Sequence, residues 1–149
     1  MSTPSDIIDY LSDTLIPSVL TGYVEIPDSI QLDNNPDIFF NNGFAVFVGE
    51  EDPRQGTLKS QVDIRSLFEI SLVRSLASDL SDAVALRDEK KFLKDHGELL
   101  WKEIHNIDPC LGGLVHDSTY IGSGPISYLG GDDYRFYVLT LSFSVKYIE

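Results

Sequence analysis

Apolar residues recur along the chain with two different periods, and the changes of period divide it into elements. Ile7, Ile8, Leu11, Leu15 and Val19 repeat at helical spacing, with Asp9, Ser12 and Asp13 on the wet side. Thr3-Pro4-Ser5-Asp6 supplies the start: a capping hydroxyl, a proline suited to the first turn, and an acid near the positive helix end. Pro17 threatens the end of this helix, and Thr21-Gly22 closes it. Residues 23–38 read as strand fragments with loops. Asn41-Asn42-Gly43, between the apolar runs 38–40 and 44–48, predicts a hairpin turn. Residues 49–60 then predict a polar loop of about a dozen residues, long enough to make a contact.

From residue 61 to 74 the period is two. Val62, Ile64, Phe68, Ile70 and Leu72 alternate with Asp63, Arg65, Glu69 and Ser71, which predicts a strand with one dry face. A helix follows over roughly residues 83–106. Leu86, Leu93, Leu100, Ile104 and Ile107 mark its stripe, widened by Phe92, Leu99 and Trp101, with Lys90, Lys91, Lys94, Glu98 and Lys102 on the opposite side. Gly97 is a weak point in it, costing about 1 kcal/mol against alanine. Residues 114–121 and 126–129 predict two short strands, with a turn at 122–125 and a tight reversal at 130–133. In the last stretch Tyr137, Leu139, Leu141, Phe143, Val145 and Tyr147 share one strand face, and Thr140, Ser142, Ser144 and Lys146 the other. Strands cluster rather than alternating with helices. The expectation is therefore one α+β domain over residues 1–149, a mostly antiparallel sheet packed against one long helix and the N-terminal helix.

Charge changes the picture more than composition does. Twenty-four acidic and eleven basic residues give a net charge of −13. Residues 1–60 hold ten acids and two bases, Arg54 and Lys59. Tight nucleic-acid binding needs clustered Lys and Arg, which this balance does not supply over a whole face. The acids either keep the protein soluble or form a surface that repels nucleic acid; both readings stand at this point. No apolar run approaches the roughly 20 residues of a membrane helix. The N-terminus lacks the basic flank and apolar segment of a signal peptide, and the single Cys110 excludes an internal disulfide framework. A reducing cytosol and no membrane partner fit these features.

The residue types that carry chemistry do not converge. His96 and His105 are nine apart, outside the i,i+4 spacing that sets two ligands on one helix face, and His116 stands apart from both. Cys110 lies between Pro109 and Leu111 without a local signature of an activating base. Gly122-Ser123-Gly124 matches neither a nucleophile elbow nor a phosphate loop. Glu50-Glu51-Asp52 and Asp132-Asp133 lack the alternating ligands of a calcium loop. The expectation is a non-enzymatic protein with no cofactor and no metal site. Its candidate contact residues are Glu50, Glu51, Asp52, Arg54 and Lys59, whose mixed signs can set register against a partner.

The order of elements resembles the tail terminator proteins of long-tailed bacteriophages, the minor tail protein U-like group. The resemblance runs over most of the chain. It lies in the N-terminal helix, the central strand pair ending in residues 62–73, and the helix of residues 86–107. It continues through Ile107-Asp108-Pro109-Cys110-Leu111-Gly112-Gly113 to the closing strand of residues 136–147. Few diagnostic residues carry it. It implies a ring, usually of six copies, that caps the tail tube at full length, ends its polymerisation and offers its other face to the head-completion or neck protein. DNA would pass through the lumen without tight binding, and the acidic balance would keep its phosphates from sticking. The place implied is the tail–neck junction of the virion, after assembly in the host cytoplasm. Another head–tail connector or tail completion protein shares this size and layout, and a small cytosolic enzyme or binding domain with scattered residues is the alternative of a different class.

Overall fold

In the computed structural model, which describes residues 4–26, 41–55, 62–77, 80–130 and 135–148, the first apolar stripe is helical from Pro4 to Val19. It runs as α1 (Pro4–Tyr10), a π-helical turn (Leu11–Leu15) and α2 (Ile16–Val19). Pro17 does not end the helix. It has no N–H to bond back into the preceding turn, and that turn is widened, with Ile16 N–H donating to the Leu11 carbonyl. The run stops at Leu20, and Gly22 turns the chain at φ 88°. Ile7, Leu11, Leu15 and Ile16 are buried, as the helical spacing requires.

Six strands form one sheet: β1 (Val24–Glu25), β2 (Asn42–Gln55), β3 (Val62–Ser75), β4 (Asp117–Ser123), β5 (Ser127–Gly130) and β6 (Arg135–Ile148). The order is β1-β2-β3-β6-β4, with β5 also on β6, and every pair is antiparallel except β1 with β2. The α+β architecture expected from the pattern is the one observed.

Three local expectations are corrected. Asn42-Gly43 is not a hairpin turn; both residues open β2, opposite Arg74 and Val73. The apolar run that follows finds its partner in β3, and this long-range pairing overrides the local turn signal. The other expected arm, residues 38–40, lies outside the described residues. The polar loop expected over 49–60 is mostly strand, because β2 continues to Gln55 opposite Val62. Residues 56–61, which join the two strands, lie outside the described residues. The turn expected at 122–125 does not reverse the chain. β4 and β5 run in the same direction along one edge of β6, interrupted by a register shift between Tyr120 and Gly122 and by Gly124-Pro125. Gly122 takes φ 147° at the shift, and an edge strand tolerates a proline that cannot donate.

The long helix, α3 (Ala83–Lys102), starts at Asp82, whose carboxylate accepts from Ala85 N–H at 3.4 Å. A π turn (Glu103–Ile107) extends it. Leu93, Leu100 and Ile104 are fully buried against the face of β6 that carries Leu139, Leu141, Phe143 and Val145. Phe68 of β3 stacks on its register partner Phe143 with ring centroids 4.9 Å apart. Ile107, counted in the stripe by its spacing, is 72% exposed, because the widened turn rotates it off the buried face. Leu99 is likewise exposed, one residue's rotation away from Leu100. Gly97 proves to be a contact rather than a defect: a Cβ there would sit 2.7 Å from Leu139 Cδ2. On the far side of the sheet Ala45, Val73, Phe136 and Val138 form a smaller cluster with Ile26, while Ser71 and Thr140 bond across the strands at 3.1 Å.

Two substitutions test this packing. Leu100→Asp would bury an unpaired charge and should lower stability by roughly 3–5 kcal/mol. Gly97→Leu should also destabilise, despite the better helix propensity, because the added side chain has to displace Leu139. Thermal unfolding midpoints equal to the wild type's in both variants would show that α3 does not lie on β6 in this way.

Candidate functional site

The residues expected to make contacts lie along β2. Between Val48 and Glu51 the register with β3 shifts by one residue, so Gly49 and Glu50 fall in a bulge. Beyond it Glu51 is opposite Ser66, Asp52 opposite Arg65, and Arg54 opposite Asp63. Two pairs of positions of opposite charge, 52 with 65 and 54 with 63, are thus in register across the two strands. Four of the five residues come together on this one strand. Lys59 lies outside the described residues.

The histidines and the cysteine do not form a site. His96 Nδ1 is 2.8 Å from the Tyr23 hydroxyl, His105 Nδ1 accepts from Tyr120 N–H at 3.1 Å, and His116 is exposed. The exposed Cys110 thiol lies 3.6 Å from the His116 carbonyl rather than beside an imidazole. Among the described residues no group of three His, Cys, Asp or Glu side chains could hold a metal ion.

Two polar networks tie helices to the sheet. Arg74 of β3 donates to Glu89 of α3 and to the Asn42 side chain, each at 2.7 Å, and its guanidinium lies 4.1 Å from the Phe92 ring centre. Phe92 meets His96 edge-on at 4.2 Å, and His96 meets Tyr23. Burial holds the Tyr23 phenol protonated far above its usual range. Burial, and secondarily the Arg74 charge, hold the His96 imidazole below its ordinary value, with Asp95 pulling weakly the other way. At the other network, Tyr10 donates to Asp108 at 2.5 Å, and the second Asp108 oxygen accepts from Gly112 N–H at 2.9 Å. The hydrogen bond to Asp108 is the main reason the Tyr10 pKa is pushed up to about 12. These contacts fasten α1 to the turn of residues 108–113, where Gly112 sits at φ 68° with its Cα facing the Tyr10 ring.

A different surface lies where α3 overhangs the β4 edge. The Trp101 and Tyr120 rings stack with centroids 4.6 Å apart and an 8° angle between their planes. Beside them opens a cleft of about 230 Å³, floored by Gly97, Leu139 and Leu141 and rimmed by Lys94, Glu98 and Ser123. At 100° per residue, Arg87, Lys90, Lys91, Lys94 and Glu98 share an arc of about 100° with Trp101, so this flank of the helix is basic. Asp88 and Asp95 fall outside the arc. Lys90 reaches over the Tyr137 ring and Glu98 pairs with Lys102 at 2.6 Å, whereas Arg87, Lys91 and Lys94 make no ion pair among the described residues. In the sequence these lysines read only as the wet side of the helix. The i,i+3 and i,i+4 spacing of 87, 90, 91 and 94 was the available signal; the partnership of Trp101 with Tyr120 was not, because nineteen residues and a change of element separate them.

The His96 contact carries a pH dependence. Its folded pKa lies below its ordinary 6.5, so the folded chain binds fewer protons than the unfolded chain. The resulting stability is present above pH 6.5 and is lost as pH falls through the folded pKa. Wild type should therefore lose stability relative to His96→Gln between pH 7 and pH 5, read as the difference in unfolding free energy at each pH. A difference that stays constant over this range would contradict the contact.

No protein-family model matches the chain, and no curated protein is significantly similar to it.

Proposed function

We propose that the chain is a structural subunit, without a catalytic centre, that assembles into a ring closing the end of a phage tail tube. The observation that carries the reading is the order of elements along most of the chain: a helix, a long strand hairpin, a long helix, and a closing strand. That order resembles the tail terminators described above. In this reading the ring, usually of six copies, sits at the tail–neck junction of the virion. It binds the tube protein on one face and the head-completion or neck protein on the other. A head-to-tail interface closes a ring when its rotation fits a whole number of copies, and a second face that accepts only the tube ends growth, with no covalent chemistry. The β2–β3 ribbon supports a contact role for Glu50, Glu51, Asp52 and Arg54, since two fourteen-residue strands carry them to one end of the sheet. Lys59 belongs to the same proposed contact. The net charge of −13 suits a lumen through which DNA slides without sticking.

The test is genetic. A phage lacking this gene should make tails of abnormal length or tails that fail to join heads, and the intact gene supplied in trans should restore both. Normal tails, normally joined, in the phage without the gene would overturn the reading. A version carrying Glu50→Lys and Glu51→Lys, which leaves the β2–β3 strands in place, should fail to complement; full complementation would move the contact elsewhere.

A further inference from the structure

The N-terminal helix and one flank of α3 expose opposite charges. Residues 1–53 contain no lysine or arginine. Within them, Asp9 and Asp13 of the N-terminal helix are exposed, turned away from the buried Ile7, Leu11 and Leu15, and Glu25 of β1 is exposed at the sheet edge. This helix packs over β2 and, through Tyr10, against the turn of residues 108–113. α3 packs over β3 and β6, and its Trp101 flank faces β4 at the opposite edge. That flank carries Arg87, Lys91 and Lys94 without ion-pair partners among the described residues, although the chain has more than two acids for every base. These cations, without ion pairs among the described residues and gathered on one flank beside an apolar cleft, are complementary to the exposed acids of the N-terminal helix.

We infer that these two flanks are the two halves of one interface between copies of this chain. The basic α3 flank of one copy, with its Trp101–Tyr120 cleft, receives the acidic flank of Asp9 and Asp13 from the next. Because the two halves are different surfaces of the chain, the contact is head-to-tail, and it closes a ring when its rotation fits a whole number of copies. This rests on the ring reading above and deepens it by naming the surfaces that meet. Opposite charge at the rim orients the encounter and rejects the like-charged alternatives, acid flank on acid flank and base flank on base flank. The cleft beside it is open to an apolar side chain of the arriving copy.

The experiment uses the purified full chain and two charge variants, followed by sedimentation velocity and native mass spectrometry. Lys91→Glu with Lys94→Glu makes both flanks acidic; Asp9→Lys with Asp13→Lys makes both basic. All four positions are solvent-exposed. Wild type should form closed oligomers whose stability falls with added salt. Each variant alone should need at least about tenfold more protein to assemble, with an unchanged thermal midpoint. An equimolar mixture of the two variants should assemble again, because every junction in an alternating ring then joins opposite charges. Variants that assemble as readily as wild type, or a mixture no better than its parts, would overturn the interface while leaving a ring by other surfaces standing. A wild type that stays monomeric at millimolar concentration would overturn this self-contact, and the tail phenotype would then judge the ring reading separately. Salt-sensitive DNA binding by wild type that is abolished in Lys91→Glu with Lys94→Glu would also overturn it, by assigning the stripe to nucleic acid.

Discussion

The close approach of α3 to β6 is the contact on which the rest of the structure depends. Gly97 lets the helix backbone come down onto Leu139, and Leu93, Leu100 and Ile104 then reach the strand face that holds Leu141, Phe143 and Val145. A larger residue at 97 would lift the helix and open voids around all of these side chains, each of which contributes about 1.5–3 kcal/mol when fully buried. The glycine lowers intrinsic helix stability by about 1 kcal/mol, and in return lets Leu139 sit directly against the helix backbone. The same seating fixes where Trp101 meets Tyr120, where Lys94 overhangs the cleft, and where His96 reaches Tyr23.

One-sided helix packing has a further consequence. With α1, α2 and α3 on the same face, the large core lies on that side, and the far face carries a smaller apolar cluster around Ala45, Val73, Phe136 and Val138. The sheet keeps two distinct edges. One is β4 and β5, blunted by a bulge at Gly122 and by Pro125, as edge strands that must not pair freely often are. The other is β2, covered by β1 at Gly43 and Phe44 among the described residues. The two edges of the subunit are therefore unlike.

Much of this architecture was legible in the residues. The period-two strands of residues 61–74 and 136–147, and the helical stripe through Leu93, Leu100 and Ile104, carry a strong signal because one face of each is dry. Legibility failed where pairing or packing, rather than local preference, decides the conformation. Residues 49–55 have no apolar alternation, yet their backbone is held by β3. Asn42-Gly43 has strong turn chemistry but lies in a strand, because the apolar residues after it pair with β3. Gly97 looks like a flaw until Leu139 is placed beneath it. Of the candidate contact residues, Glu50, Glu51, Asp52 and Arg54 do share a strand, but the bulge and the facing Arg65 and Asp63 are properties of register that one strand alone cannot reveal. The basic flank of α3 was half visible: its spacing is in the sequence, its position above β4 is not.

The account stands or falls on whether the acidic and basic flanks of different copies meet. Zero-length carbodiimide cross-linking, which joins only amines and carboxylates in direct contact, measures this on an equimolar mixture of isotopically light and heavy protein. Mixed light–heavy cross-links between Lys91 or Lys94 and Asp9 or Asp13 are the predicted result. Intermolecular links that join other surfaces and leave these lysines untouched would contradict it.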